Sequence, residues 1–174
     1  RQLTDIPGNE ASVVTIGNFD GMHNGHKKVI STCIERAHKL GVEAVAITFD
    51  PHPIQVHKPE VGLQLISPLR DRLDAMAAAG LDATLVAHYD ASVYSLEADE
   101  FVYEYLVERC GAREVVVLPN DVDTVRVAEI AARTAEADGD VRVAVIPTHA
   151  QVQGLSALAV HDPGRDFDLS LIHI

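Results

Sequence analysis

Apolar and polar positions along the chain switch between two periods, and the switching predicts alternating strands and helices. Residues 12–16 read Ser-Val-Val-Thr-Ile, a β-branched run suited to a buried strand. Val29, Ile30, Cys33, Ile34, Ala37 and Leu40 then recur at helical spacing, and Gly41 stands where that helix would stop. Residues 43–49, Glu-Ala-Val-Ala-Ile-Thr-Phe, predict a second strand, closed by Pro51 and Pro53. Ser67 is placed to cap a further helix, with Pro68 at its first position and Gly80 after its alanine-rich last turn. Residues 83–87 predict a third strand. A loop through Asp90 and Ser95 leads to an amphipathic helix over 98–110, with Gly111 just beyond. Residues 114–118 predict a fourth strand, 125–137 a helix, 141–146 a fifth strand and 154–159 the start of another short helix. Such alternation predicts an α/β protein: a Rossmann-like parallel sheet flanked by helices on both faces.

Ligands of such sheets bind beyond the carboxyl ends of the strands, so the connection after the first strand carries most of the functional information. Residues 15–27 read Thr-Ile-Gly-Asn-Phe-Asp-Gly-Met-His-Asn-Gly-His-Lys. Glycines in such a turn often serve only the chain reversal. Here Gly and His repeat in register between a strand and a helix, which points to a phosphate or nucleotide site. A helix start offers unpaired N–H groups and the positive end of a dipole. Gly17, Gly21 and Gly25 would let backbone approach a ligand without Cβ clashes. His23 and His26 would donate to phosphoryl oxygens, and Asn18, Phe19 and Asp20 complete the turn. Asp20 has two readings: it organises the turn or a metal shell, or it caps the turn through its own backbone.

Asp50 and His52 fall at the carboxyl end of the second strand, on the same sheet edge as the turn. His52, between two prolines, suits either a cleft wall or a surface turn. His57, His88, His149 and His161 show no ligand spacing, so no metal site is assigned. Tyr94, Tyr103 and Tyr105 read as packing residues.

Composition narrows this picture. The chain has 174 residues, is 47% hydrophobic and contains no Trp, which suits one domain with an aliphatic interior. No stretch reaches the roughly 18 continuous apolar residues of a membrane span, and no signal peptide is visible, so the chain is expected in the cytoplasm. Cys33 and Cys110 both fall on apolar helix faces and read as buried free thiols. A formal charge of −12 argues against a general nucleic-acid surface. Lys27 and Lys28, beside the histidines, are among the few basic spots that would draw an anionic substrate. Arg1 opens the chain without Met, so the chain reads as a fragment.

The turn resembles the nucleotide-binding signature of the HxGH nucleotidylyltransferase superfamily. Its Gly-Asn-Phe-Asp-Gly-x-His-x-Gly-His form is similar to the FMN adenylyltransferase (FAD synthetase) module of bacterial bifunctional riboflavin kinase/FAD synthetases. Thr48-Phe49-Asp50-Pro51-His52-Pro53 resembles that family's second signature, and further likeness runs through residues 65–72, 80–82 and 97–102. The resemblance covers about residues 10–117 and implies transfer of AMP from ATP to FMN, giving FAD and pyrophosphate. ATP and FMN are the implied partners and Mg2+ the implied cofactor. His23 and His26 are the implied catalytic residues; Gly17, Asn18, Phe19, Asp20, Gly21 and Gly25 the ATP-binding ones; Asp50 and His52 the substrate-binding ones.

After Val117 the likeness changes. The family pattern leads one to expect a Gly-x-Asp/Asn-Phe-x-Phe-Gly loop and a Ser/Ser-Thr-x-Ile-Arg phosphate segment, and the chain has neither. Residues 115–168 instead resemble the C-terminal domain of the A-type component of fatty-acid kinase and dihydroxyacetone-kinase-type proteins, with a Leu-Pro-Asn turn and a Pro-Thr-x-x-x-x-Gln-Gly turn in order. The expected organisation is therefore a nucleotidylyltransferase portion over 1–117 and an α/β segment of different origin over 118–168. Residues 169–174 read as a non-native tail. The riboflavin kinase module of the native family context is absent from the sequence. The implied activity is accordingly expected to be impaired, with a non-catalytic ligand-binding α/β module, or nucleotidyl transfer to another phosphorylated substrate, as the alternatives.

Overall fold

A computed structural model describes residues 2–3, 11–117, 122–138 and 141–145. In chain order the elements are β1 (Gln2–Leu3), β2 (Ser12–Ile16), α1 (Asn24–Leu40), β3 (Glu43–Asp50), α2 (Pro53–His57), α3 (Leu69–Ala78), β4 (Ala83–His88), α4 (Ala91–Tyr94), α5 (Ala98–Phe101), β5 (Ala112–Val117), α6 (Val122–Asp138) and β6 (Arg142–Val145). Among the described residues the strands form one six-stranded sheet in the order β1-β4-β3-β2-β5-β6. Every pairing is parallel. The predicted α/β, Rossmann-like architecture is therefore present, and β5 and β6 join the same sheet as β2.

Burial explains the central strand. Ala44, Val45, Ala46, Ile47 and Thr48 are all fully buried, as the middle strand of a sheet covered on both faces requires. Its side chains alternate between two cores. Ala44 and Ala46 pack with Ile30, Cys33 and Met76 beneath α1 and α3. Val45 and Ile47 pack with Leu85, Leu106 and Val143 on the opposite face. Cys33 and Cys110 are buried and free, as expected. Burial raises both thiols to about 12, so they stay protonated and unreactive.

Several local expectations shift. The first helix begins at Asn24 with His23 as its cap, so the histidines stand at its mouth as the sequence suggested. It ends at Gly41 in the left-handed conformation (φ 67°), as predicted. Ser67 does not cap α3: the cap position falls to Pro68 without a side-chain bond, and the Ser67 hydroxyl is drawn to the Asp20 carboxylate. The helix predicted over 98–110 is α-helical only through Phe101. Val102–Glu108 widens into a π-helix, with Arg109 N–H donating to Glu104 C=O at 3.1 Å. The loop predicted through Asp90 and Ser95 folds into α4, capped by Asp90. The turn at 118–120, the segment over 146–168 with its helix start at 154–159, and the tail 169–174 lie outside the described residues.

Candidate nucleotide site

The connection between β2 and α1 is folded under local strain. Phe19 (φ 50°), Gly21 (φ 71°) and Met22 (φ 40°) all take left-handed backbone, where only glycine is at ease. Strain of about 1 kcal/mol at each non-glycine position persists only where surrounding contacts over-determine it. The Phe19 ring supplies those contacts: it is 1% exposed and sits in the core beneath α1. A Cβ on Gly17 would stand 3.2 Å from that ring. Gly17 is thus glycine so that Phe19 can fold back over it.

Gly17, Phe19 and Gly21, expected in an ATP-binding turn, each have a structural part in this geometry. Phe19 buries its ring inward. Gly21 gives its N–H to Ser67 Oγ at 2.9 Å, and a Cβ there would meet Ile66 at 3.0 Å. The Asp20 carboxylate accepts from Ile66 N–H (2.9 Å), Ser67 N–H (2.8 Å) and Ser67 Oγ (3.0 Å). The segment before α3 is therefore strapped onto the turn, and Asp20 is the buckle. Of its two sequence readings, organising the turn prevails, through a partner 46 residues away and not through its own backbone.

Burial alone would raise the Asp20 carboxyl, but the Ile66 and Ser67 bonds and the Arg72 charge together hold it below its ordinary 3.8. A folded value below the unfolded one adds stability at all pH above the unfolded value. That stability is lost as pH falls through the folded one. Asp20→Asn is expected to lower Tm by a constant amount near neutral pH, with the gap to wild type closing below about pH 4. A gap that stayed constant down to pH 2.5 would show that the charge of Asp20 contributes nothing.

The two histidines meet as expected. Their rings stack with centroids 3.6 Å apart and planes 20° apart. His23 Nδ1 accepts from His26 N–H at 3.3 Å, so that ring nitrogen carries no proton and Nε2 holds it. His26 leans edge-on against Phe19, centroids 5.3 Å apart. Burial lowers the His26 pKa and the neighbouring His23 lowers it further, against a smaller pull upward from Asp20, so the ring is neutral near pH 7. Among the described residues its Nδ1 is buried without a partner, as is Asn18 Oδ1. Asn24 and Gly25 open α1, at the positions where backbone N–H groups have no intrahelical acceptor. Lys27 and Lys28 lie exposed on the next positions.

Asp50 and His52 reach the same edge. The structure gives His52 a helix-capping part: its Nδ1 accepts from Ile54 N–H at 3.1 Å and Gln55 Oε1 accepts from His52 N–H at 3.2 Å. Its side chain is buried, which lowers its pKa, and the Arg72 charge lowers it further while Asp20 pulls it up. Asp50 Oδ1 lies 3.4 Å from Arg72 Nη2.

Two features escaped sequence reading. Arg72 is completely buried, although its Leu-Arg-Asp-Arg context reads as a solvated helix face. The one signal for it was its position four residues before buried Met76, on the same face. The second is a ring cluster beside the strand ends. His57 Nε2 and Tyr89 OH are 2.9 Å apart, His57 and Tyr94 meet at 5.0 Å, and Tyr89 meets Phe49 at 5.4 Å. Tyr105 packs as predicted, stacked on Phe101 at 4.9 Å.

A parallel α/β sheet bearing the Gly-Met-His-Asn-Gly-His turn on its carboxyl edge has the fold of the HxGH nucleotidylyltransferase class. A family model described as FAD synthetase matches residues 5–129. The chain belongs to the FAD synthetase family. A second model, describing the C-terminal part of fatty acid kinase A-like proteins, matches residues 100–172. The chain is 39% identical over 117 residues to a Geobacillus thermodenitrificans protein whose name includes bifunctional riboflavin kinase/FMN adenylyltransferase, covering 67% of this chain and 61% of that one. It is 34% identical over 111 residues to the bifunctional riboflavin kinase/FMN adenylyltransferase of Pseudomonas fluorescens, covering 64% and 35%. The chain thus spans between about a third and three fifths of the length of these relatives. A crystal structure described as a macrolide-efflux protein from Streptococcus pneumoniae shares the fold, with a TM-score of 0.64 at 22% identity over 84% of this chain and 57% of that one.

Proposed function

We propose that this chain binds MgATP at the turn between β2 and α1 and is built for adenylyl transfer to FMN. The observation that carries the reading is the stacked His23–His26 pair at the mouth of α1. His23 caps the helix with Nδ1, so its Nε2–H is left to donate outward beside the N–H groups of Asn24 and Gly25. Imidazole donors and a helix N-terminus match a triphosphate, whose charge they stabilise.

The reaction needs little covalent help. An FMN phosphate oxygen attacks the α-phosphorus of ATP, the bond from that phosphorus to the bridging oxygen breaks, and pyrophosphate leaves with the electron pair. FMN phosphate is already an anion, so no general base is required, and positioning with charge stabilisation carries the rate. Among the described residues no group of His, Cys, Asp or Glu converges to hold a metal, and both Asp20 oxygens serve the strap. In this reading Mg2+ would enter with ATP, as part of the substrate. Asn18 Oδ1, buried without a partner among the described residues, and Asp50, half-exposed at the strand end, remain polar groups of the cleft. The ring cluster of Phe49, Tyr89, Tyr94 and His57 offers an aromatic wall beside them for a planar acceptor.

Residues after about 117 supply the sheet edge beside β5 in this reading, without the Ser-Thr-x-Ile-Arg phosphate segment. The purified chain is therefore expected to bind MgATP but to form FAD from FMN slowly, with phosphopantetheine inert in the same pyrophosphate-release assay. Robust FAD formation would refute the impairment, and equal turnover of phosphopantetheine would refute the acceptor. The match of 100–172 to the fatty acid kinase-type model favours a second reading, a ligand-binding α/β module. Fatty acid retained through purification, with no MgATP affinity, would establish it instead.

A further inference from the structure

We propose that Arg72 is a positioning residue for the nucleotide site: from the first turn of α3 its guanidinium locks the glycine turn and the end of β3 into one register. The proposal rests on the nucleotide reading above. Arg72 Nη1 donates to Asn18 C=O at 2.9 Å, to Thr48 Oγ1 at 3.3 Å and to Phe49 C=O at 3.3 Å, while Nη2 reaches Asp50 Oδ1 at 3.4 Å. Thr48 Oγ1 donates in turn to Asn18 C=O at 3.2 Å. One side chain thus joins the connection carrying His23 and His26 to the strand end carrying Asp50 and His52. Among the described residues, no backbone hydrogen bond joins those loops beyond Gly17 N–H to Ile47 C=O at 3.0 Å.

The charge balance separates this from an ordinary structural ion pair. Arg72 is 0% exposed; among the described residues the carboxylate it bonds, Asp50 at 3.4 Å, is 44% exposed, and the Asp20 carboxylate feels its charge without bonding it. The Arg72 Nε has no partner among the described residues. A cation taken out of water is retained at a cost unless it is fully paired or its field is used. Here the incompletely neutralised charge lies behind the two loops of the sheet edge, where it lowers both the Asp20 and the His52 pKa. A phosphate arriving at that edge meets this field as well as the imidazoles. Lysine would keep the charge but not the fork, since one ammonium cannot reach Asn18, Phe49 and Asp50 together.

The test compares wild type, Arg72→Lys and Arg72→Gln by MgATP calorimetry, thermal unfolding and titration of the His52 imidazole signals. Arg72→Gln is expected to weaken MgATP about tenfold or more and to move His52 titration to higher pH. Arg72→Lys should return His52 toward its wild-type pH while recovering only part of the affinity. A purely structural role would lower Tm in both variants and leave MgATP affinity at its wild-type value; that result overturns the proposal. Should Arg72→Gln fail to fold, Thr48→Val, which keeps the shape and removes only the bridging hydroxyl, is expected to weaken MgATP about threefold. Wild-type affinity in both Thr48→Val and Arg72→Lys would likewise overturn it. If the wild type itself binds no MgATP, the nucleotide reading falls and the positioning role with it, whereas MgATP binding that is unchanged in the Arg72 and Thr48 variants overturns the positioning role alone.

Discussion

Replacing His23 and His26 together with alanine is expected to weaken MgATP binding about a hundredfold, or roughly 3 kcal/mol. That is the sum of two charge-assisted hydrogen bonds at about 1.5 kcal/mol each. The stacked geometry makes the pair act as a unit: the His26 ring lies between His23 and Phe19. Each single alanine should therefore lose more than half of the double effect, since the remaining ring is no longer held. His23→Ala carries a second consequence, because Nδ1 caps α1 through His26 N–H. Loss of that cap costs about 1 kcal/mol of stability. His23→Asn separates the two, since Asn restores an acceptor at the cap position without restoring an imidazole Nε2–H. The Asn chain should regain wild-type Tm and still bind MgATP weakly. Equal MgATP affinity in wild type and the double alanine chain, measured by calorimetry, would remove the histidines from the site.

Phe19→Ala is expected to destabilise the protein by about 3–4 kcal/mol, the usual range for emptying an aromatic site in a packed core. For a chain of this size that lowers Tm by roughly 10 °C. The ring is 1% exposed and holds a left-handed backbone in place, so its loss removes both the packing and the reason for the turn's shape. MgATP affinity should fall with it, about tenfold, because His26 loses the edge contact that orients it. Phe19→Leu refills most of the volume and should restore more than half of the stability while leaving affinity reduced. A Tm change of less than about 2 °C in Phe19→Ala would place the ring outside the core and revive its reading as a ligand contact.

These two expectations rest on unequal shares of sequence and structure. The histidine pair was legible because its spacing of three, at the start of a helical pattern, already places both residues at the helix mouth. Gly41 was legible as a stop because the left-handed residue after a helix depends on that residue alone. Phe19 was not, since a phenylalanine amid glycines and polar residues gives no sign of which way its ring turns. The cap of α1 was not legible in the same way, since it is a histidine and not one of the usual short polar residues. Ser67 followed the capping rule in sequence and broke it in the structure. A carboxylate brought from Asp20 is a stronger acceptor than anything the first turn of α3 offers.

The chain's local pattern was enough for the alternation of strands and helices, the parallel sheet they imply, and the placing of both signatures on one edge. Each follows from residue periodicity and from the rule that βα connections return to the same side of a sheet. What needed the folded molecule was every contact between those signatures. Asp20 meets Ser67 across 47 positions and Arg72 meets Asn18 across 54. No propensity or period reports on partners so far apart. Their pairing is set by how α3 packs against the sheet, and with it which polar groups of the turn are consumed internally and which are left to meet a ligand.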